Sequence, residues 1–228
     1  MRVEVWSDVV CPWCYVGKRR LEQALAGFPH AADVQIVHRA FQLDPGAPKG
    51  LTRSRREMLM RKYRLSADQV HALDERMARI TAADGLDYRI GDGVTGNTED
   101  AHRLLHLARE RGLESPVLDR FYHAYFAEGR SVFDTASLTT LAVEAGLEAH
   151  DVQRALQADD HAGAVQEEQA HARALGVTGV PFFLIGGHER ISGAQSVEVI
   201  REALERAWRE LSISVPEENP ASPEAGAR

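Results

Sequence analysis

Strand-like segments occur only near the two ends of this 228-residue chain. Close to the N-terminus, residues 3–7 alternate like a strand, a helix through Leu21 and Leu25 stops near Gly27, and residues 34–37 predict a second strand. A strand, a helix and a strand within about forty residues predict a βαβ unit, which requires a parallel pair. The sequence therefore predicts a fold that contains a small parallel sheet covered by a helix.

A block of about 120 residues follows, in which apolar residues recur at helical spacing. Ser66 and Gln69 have the pattern of a capping box, and Asn97 or Thr98 can cap a later helix. Ser115-Pro116 predicts a further helix with proline at its first position. Residues 91–96 predict a glycine-rich loop between helices.

Strand character returns at residues 180–185, where Gly186-Gly187 predicts a tight turn into a second strand and a final helix. The complete order predicts an α/β domain that is interrupted by a large all-helical insertion. Spacing alone leaves open whether the last hairpin joins the first two strands in one sheet.

Composition excludes several classes of protein. The net charge of −7 argues against binding nucleic acid through its phosphates. One basic cluster is interleaved with apolar residues and is interpreted as the solvated side of an amphipathic helix: Arg53, Arg55, Arg56, Arg61, Lys62 and Arg64. No segment reaches the roughly 18 consecutive apolar residues of a membrane span, and the N-terminus lacks the pattern of a secretory signal. We therefore expect a cytoplasmic protein that does not bind membranes.

The only two cysteines form the motif Cys11-Pro12-Trp13-Cys14, between the first strand and the first helix. A disulfide this short closes almost no loop, so it would add little stability and is better explained by reactivity. At the helix N-terminus, unpaired N–H groups and the dipole favour a thiolate on Cys11, and Cys14 lies one turn along on the same side. The spacing predicts that Cys11 is the nucleophile and Cys14 the resolving thiol, with Pro12 tolerated in the first turn and Trp13 shielding the site.

A zinc site is the alternative for this cysteine pair. Cys11 and Cys14 could supply two ligands, and His102 and His106 lie four residues apart on one helical face. Zinc knuckles usually place such a pair on a hairpin turn rather than at a strand-to-helix junction. The sequence therefore favours redox chemistry without a metal, and surface or packing roles for the two histidines.

A second element is Gly179-Val180-Pro181-Phe182, at the start of a predicted strand. Proline cannot donate to a sheet ladder, so the beginning of a strand is a position that suits it. A cis Val180–Pro181 bond would leave the backbone of Val180 free to pair with a peptide or thiol, whereas base rates for an isolated proline favour trans.

These motifs resemble the thioredoxin-fold family, in particular its DsbA-like branch called FrnE-like. The match covers about residues 1–210 and includes Ser7-Asp8 before the cysteines, Asn97-Thr98 with Ala101-His102-Arg103, and Gly176-Val177 before the Pro181 segment. The resemblance implies a thioredoxin fold with an inserted helical domain, a cis Pro181 facing the cysteines, and protein dithiol oxidation or disulfide isomerisation. It also implies that Asn97 approaches the active site, whereas its position in the sequence predicts a helix cap.

The resemblance and the element order together give four predicted segments. Residues 1–45 and 176–211 are the two halves of the thioredoxin fold, and residues 46–175 are the inserted helical domain. Residues 212–228 are rich in proline and glutamate, a composition that predicts a disordered tail.

The expected substrates are proteins or small thiols and disulfides, handled without a bound cofactor by a monomer or homodimer. Glutathione or another low-molecular-weight thiol is a candidate redox partner. Related dithiols have potentials from about −120 to −270 mV, so the direction of the reaction stays open. Two alternatives also stay open: a glutathione-dependent 2-hydroxychromene-2-carboxylate isomerase, a related branch that typically has serine where Cys11 stands, and a chaperone-like peptide-binding module.

Overall fold

The computed structural model describes residues 1–214. Its strands and helices are, in chain order, β1 (Arg2–Ser7), α1 (Pro12–Ala26), β2 (Gln35–Ala40), β3 (Thr52–Ser54), α2 (Arg55–Tyr63), α3 (Ala67–Ala83), β4 (Val94–Gly96), α4 (Glu99–Glu110), α5 (Glu114–Phe126), α6 (Thr135–Glu144), α7 (Ala149–Gln157), α8 (Ala162–Ala174), β5 (Phe182–Ile185), β6 (Glu189–Ser192) and α9 (Val197–Ser214).

One four-stranded sheet, with strand order β2-β1-β5-β6, joins the two ends of the chain. β1 and β2 are parallel, with Val3 opposite Ile36, and β5 runs antiparallel to β1, with Phe183 opposite Val5. The β5–β6 hairpin turns through Gly186, whose φ of 61° suits a residue without Cβ. The hairpin therefore belongs to the same sheet as the βαβ unit, which the spacing of the strands in the sequence could not predict.

Helices cover both faces of this sheet. Buried residues of α1 and α9, such as Leu21 and Leu204, pack with Val3 and Ile185 on one face. On the other face, Trp6 packs with Ala172 of α8 and with neighbouring strand residues. The predicted α/β fold, a thioredoxin fold with a helical insertion, is confirmed.

The helices between β2 and β5 have their own apolar core, which is continuous with the start of α1. Leu104, Phe121 and Phe126 are fully buried in it, and the same cluster includes Cys11 and Cys14. The first turn of α1 is therefore packed against the inserted helices.

Two details of the insertion differ from the predictions. Residues 94–96, expected in a loop, pair with β3 as a two-stranded antiparallel sheet, and strands of three residues are too short to show alternation. The helix expected to begin with Pro116 begins at Glu114 instead. Proline fits there because N–H groups throughout the first turn have no intrahelical partner.

The interpretation of the basic cluster as a solvated helical face is wrong for two of its members. Arg53 lies in β3, and Arg55 is buried at the start of α2. Arg55 binds both carboxylate oxygens of Asp74 on α3, at 3.0 and 2.6 Å. A guanidinium can be buried here because a bidentate carboxylate compensates its charge.

The last helix continues to Ser214, so it passes the predicted start of the tail at residue 212. Residues 215–228, which make up most of that predicted tail, lie outside the described part of the chain. Within residues 1–214, no helix combines the length and apolar character needed to cross a membrane. The four predicted segment boundaries stay a prediction.

Candidate active site

Cys11 occupies the N-cap position of α1, and Pro12 is the first residue of the helix. The N–H of Cys11 donates to the carbonyl of Asp8 at 3.1 Å, which fixes the turn between β1 and α1. Cys11 is 4% exposed, and its Sγ lies 3.6 Å from the carbonyl oxygen of Val180. Trp13 is 38% exposed beside it. The sequence-predicted nucleophile and the Val180 segment are therefore in contact.

The Val180–Pro181 peptide bond is cis. Pro181 reaches α1 at Gly17, where a Cβ would lie 2.8 Å from Pro181 Cγ. Only glycine at this position of α1 allows so close an approach, so Gly17 helps to set the distance between the cysteine helix and the Val180 segment.

Cys14 lies behind Cys11 and is 1% exposed. Burial raises the pKa of the Cys14 thiol well above its usual value, and the hydrogen bond to Cys11 and the charge on Cys11 raise it further. A thiol held in the neutral form can donate a hydrogen bond to a Cys11 thiolate. The two sulfurs are therefore chemically unequal, with the outer one bordering open space and the inner one protonated.

A buried acid–base pair lies next to Cys14. Asp8 and His102 are 1% and 2% exposed, and Asp8 Oδ1 lies 3.3 Å from His102 Nε2. The other carboxylate oxygen of Asp8 accepts the N–H of Leu43 at 2.7 Å. Because His102 belongs to α4, this pair connects the turn that carries the cysteines to the inserted helices.

Replacing Asp8 with asparagine is expected to lower the pKa of Cys14, because it removes a nearby negative charge that disfavours the thiolate. Burial and Cys11 are the larger causes of the raised pKa, and the negative charge of Asp8 adds to them. Asparagine removes that charge and keeps an oxygen for the Leu43 N–H. The measurement is ultraviolet titration of the single thiol in Cys11→Ser and in Cys11→Ser/Asp8→Asn. Asp92→Asn is the control, because Asp92 is an exposed carboxylate paired with Arg56. An unchanged or higher Cys14 pKa in the Asp8 variant would contradict the prediction.

A cavity of about 640 Å³ opens beside Cys11. The cysteine turn and the Val180 segment form one wall, and α2 with α3 forms the other. The residues that line the α2–α3 wall include Met58, Leu59, Lys62, Tyr63, Leu73, Arg76 and Met77. The bidentate Arg55–Asp74 pair joins the two helices, and Tyr88 donates to Asp74 at 3.0 Å. Cys11 therefore borders a space large enough for a short peptide segment.

The two histidines considered as zinc ligands have other partners. His102 contacts Asp8, and Nε2 of His106 lies 3.2 Å from Glu168. His102 is buried, at 2% exposed, and His106 is partly buried, at 11%, so of the two predicted roles, surface or packing, their positions fit packing. Among residues 1–214, no group of three or more histidine, cysteine or carboxylate side chains is placed to hold a metal ion.

Asn97 joins the loop after β2 to the start of α4. Its Oδ1 accepts the N–H of Glu99 at 2.9 Å and the side-chain amide of Gln42 at 3.1 Å, and its amide donates to the carbonyl of Ala47 at 2.7 Å. The N-cap residue of α4 is Thr98, whose side chain makes no capping hydrogen bond, and Asn97 instead accepts the N–H of Glu99, the first residue of the helix. Gln42 lines the cavity, so Asn97 contacts the site only indirectly, through Gln42. The expected role of Asn97 in tuning the site stays a prediction.

Sequence reasoning missed two parts of this site. The Asp8–His102 pair was invisible because 94 residues separate its members. The α2–α3 wall left one signal, since Met58 and Lys62, like Leu59 and Tyr63, are four residues apart and share a helical face. Nothing in that spacing indicated that the face lies over Cys11.

Comparisons with known proteins agree with this architecture. The family model for the DSBA-like thioredoxin domain matches residues 2–205. The curated "Uncharacterized protein YwbO" of Bacillus subtilis (strain 168) is 26% identical over 212 residues, which are 90% of this chain and 96% of the relative. The crystal structure of the probable DsbA oxidoreductase SCO1869 from Streptomyces coelicolor is 46% identical, with a TM-score of 0.88 over 97% of this chain and 93% of that one.

A more distant structure is similar in fold. The cytosolic disulfide reductase DsbM from Pseudomonas aeruginosa, solved with GSH, is 18% identical, with a TM-score of 0.59 over 94% of this chain and 100% of that one. The family match spans almost the entire described chain. This protein therefore belongs to the DSBA-like thioredoxin domain family.

Proposed function

We propose that this protein is a thiol–disulfide oxidoreductase that works through Cys11 and Cys14. One observation carries the proposal: Cys11 begins a helix at the wall of an open cavity, while Cys14 lies one turn along in the core. A redox pair of this kind needs one sulfur that substrates reach and a second that only the first sulfur reaches. Membership of the DSBA-like family supports the same chemistry.

In the reducing direction, the Cys11 thiolate attacks one sulfur of a substrate disulfide. A new S–S bond forms between Cys11 and the substrate, and the substrate disulfide breaks to release a thiolate, which takes a proton from water. Cys14 then gives its proton to water and attacks the Cys11 sulfur. A Cys11–Cys14 disulfide forms, the mixed disulfide breaks, and the second substrate sulfur leaves as a thiolate that takes up a proton. Two electrons pass from the protein dithiol to the substrate, and the reverse sequence oxidises a substrate dithiol.

The raised pKa of Cys14 supports this division of labour. A protonated resolving thiol does not compete with Cys11 for incoming disulfides, and its S–H stabilises a Cys11 thiolate between turnovers. Near the N-terminus of α1, the helix dipole acts in the same direction on Cys11.

We further propose that the protein belongs to the FrnE-like branch and acts in the cytoplasm on protein or small thiol and disulfide substrates. We expect it to work as a monomer or homodimer with no bound cofactor. A low-molecular-weight thiol such as glutathione is the proposed redox partner. The likeness to DsbM, a cytosolic disulfide reductase solved with GSH, supports that location and that partner.

The test is a redox titration of the wild-type protein against glutathione and dithiothreitol buffers. We expect one two-electron transition, in which the oxidised-to-reduced ratio changes tenfold per about 30 mV. A midpoint near −270 mV would assign the protein as a reductant, and one above about −180 mV as an oxidant or isomerase. A protein that forms no intramolecular disulfide between about −120 and −300 mV would overturn the proposed function.

A further inference from the structure

Exposed apolar side chains concentrate at the cavity beside Cys11. Eight large apolar side chains are exposed among the described residues, and four of them line this one cavity: Trp13, Leu43, Tyr63 and Leu73. Their exposed fractions run from 36% for Leu43 to 56% for Tyr63. Exposed apolar surface gathered around a concave space marks a binding site for an apolar partner group.

The same cavity carries an excess of positive charge. Its two carboxylates are compensated, because Asp74 binds Arg55 and Asp44 binds Arg53. Lys62 and Arg76 also line the cavity, and neither has a carboxylate within 4.0 Å among residues 1–214. Two uncompensated cations in a chain of net charge −7 give this cavity a charge opposite to that of the molecule as a whole.

The backbone on the opposite wall identifies the kind of occupant. The N–H groups of Gly179 and Val180 donate no hydrogen bond to any described residue, and both residues line the cavity. Unpaired N–H groups next to a nucleophile suit an extended polypeptide, which adds main-chain hydrogen bonds along an edge. A volume of about 640 Å³ accommodates several residues of such a segment.

We propose that this cavity selects polypeptide segments whose reacting cysteine is flanked by a bulky apolar residue and a carboxylate side chain. Lys62 and Arg76 are the specificity-determining residues for the carboxylate, and the side chains of Trp13, Tyr63 and Leu73 contact the apolar residue. This inference rests on the proposed function and names its substrate class.

The experiment uses symmetrical disulfides of short blocked peptides that contain Leu-Cys-Glu, Leu-Cys-Gln or Leu-Cys-Lys. Pre-reduced protein is mixed with each peptide, and formation of the Cys11–Cys14 disulfide is followed by thiol alkylation. We expect the Glu peptide to react about three- to tenfold faster than the Gln peptide at low salt, and the Lys peptide to react slowest. Because the cations are exposed, the preference should shrink as salt is raised.

The chain offers a matched control for the cations. Arg61 and Arg79 are exposed on the same two helices and do not line the cavity. Lys62→Gln/Arg76→Gln should bring the Glu-to-Gln rate ratio close to one, whereas Arg61→Gln/Arg79→Gln should keep it. Equal ratios in the two double variants would overturn the inference, because the preference would then come from overall charge.

Glutathione disulfide, which is anionic but has no bulky apolar group, tests the polypeptide assignment. We expect it to react about tenfold more slowly than the Leu-Cys-Glu disulfide, and equal rates would assign the cavity to small anionic disulfides instead. Binding of the reduced peptides to Cys11→Ser/Cys14→Ser, followed by intrinsic tryptophan fluorescence, gives a readout that needs no redox chemistry. Failure of every peptide to react, together with no intramolecular disulfide in the redox titration, would count against the proposed function. Equal rates and equal binding for all three peptides would count against this inference alone.

Discussion

Replacing Cys11 with serine is expected to reduce disulfide exchange by about 10³-fold or more. Serine fits the N-cap of α1 without disturbing the turn, since its hydroxyl is a good helix cap. It cannot form the covalent sulfur intermediate, and the buried Cys14 is 1% exposed and cannot replace it. The measurement is insulin reduction, together with oxidative refolding of a reduced test protein.

Cys14→Ser is the matched control, because it removes the other sulfur and leaves the first attack possible. This variant should accumulate a stable mixed disulfide between Cys11 and the substrate, visible by mass spectrometry, while losing multiple turnover. Substantial redox activity in Cys11→Ser would contradict the assigned nucleophile.

The same Cys11→Ser variant separates the alternative functions. A 2-hydroxychromene-2-carboxylate isomerase should turn over its chromene acid with serine at this position when glutathione is supplied. A chaperone-like module should keep its ability to hold unfolded protein in this variant, and also after both cysteines of the wild-type protein are alkylated. Loss of redox activity, with neither of these results, is the outcome that the oxidoreductase assignment predicts.

Replacing Glu168 with glutamine is expected to lower the free energy of unfolding by about 3–5 kcal/mol. Glu168 lies on α8, is 7% exposed, and accepts from the Arg39 guanidinium at 2.8 Å and from the Ala40 N–H at 2.6 Å. His106 and Arg109 of α4 also contact it, at 3.2 and 3.3 Å. Arg39 and Arg109 keep Glu4 and Glu114 as partners, but neutral glutamine removes the carboxylate charge that holds both guanidinium groups at α8, so the attachment of β2 and α4 to α8 weakens.

The stability that Glu168 contributes should decrease at acid pH. Burial alone would raise the pKa of Glu168, but contacts with His106, the Ala40 N–H and Arg39 outweigh it and lower the pKa to about 2. A carboxyl group whose folded pKa lies below its unfolded value of 4.5 stabilises the fold fully above pH 4.5. That contribution is lost as the pH falls from 4.5 through about 2.

Wild-type protein should therefore lose on the order of 2–3 kcal/mol through this group over that interval, a loss that Glu168→Gln should lack. Denaturant unfolding at pH 7 and at pH 3 measures both effects. Glu167→Gln is the control, since Glu167 is exposed on the same helix next to Glu168. A Glu168→Gln variant as stable as Glu167→Gln at pH 7 would contradict the role assigned to this carboxylate.

The burial of His38 adds a separate acid-sensitive contribution that both variants keep. Burial, together with the charges of Lys18 and Arg109, lowers the pKa of His38 from 6.5 to about 3. Folded protein therefore holds this ring neutral, and its stabilising contribution disappears as the pH falls from 6.5 through about 3. Comparing each variant with wild type at the same pH separates this background from the effect of Glu168.

Much of this protein was determined by local sequence. The motif Cys11-Pro12-Trp13-Cys14 predicted the start of α1, because proline in the first turn and an N-terminal dipole act within a few residues. Ser66 and Gln69 form the capping box that their spacing predicted. The parallel β1–β2 pair followed from the short βαβ unit. Each of these features depends on residues that are close neighbours along the chain.

The tertiary structure alone decided how the site is enclosed. Asp8 and His102, Arg39 and Glu168, and the α2–α3 wall over Cys11 meet only after the sheet has formed and the inserted helices have packed against it. A pattern within one helix shows which of its faces is apolar or charged, but not which distant segment that face will contact. The sequence by itself therefore located the cysteine pair proposed to react, and the packing of the insertion decided what surrounds it.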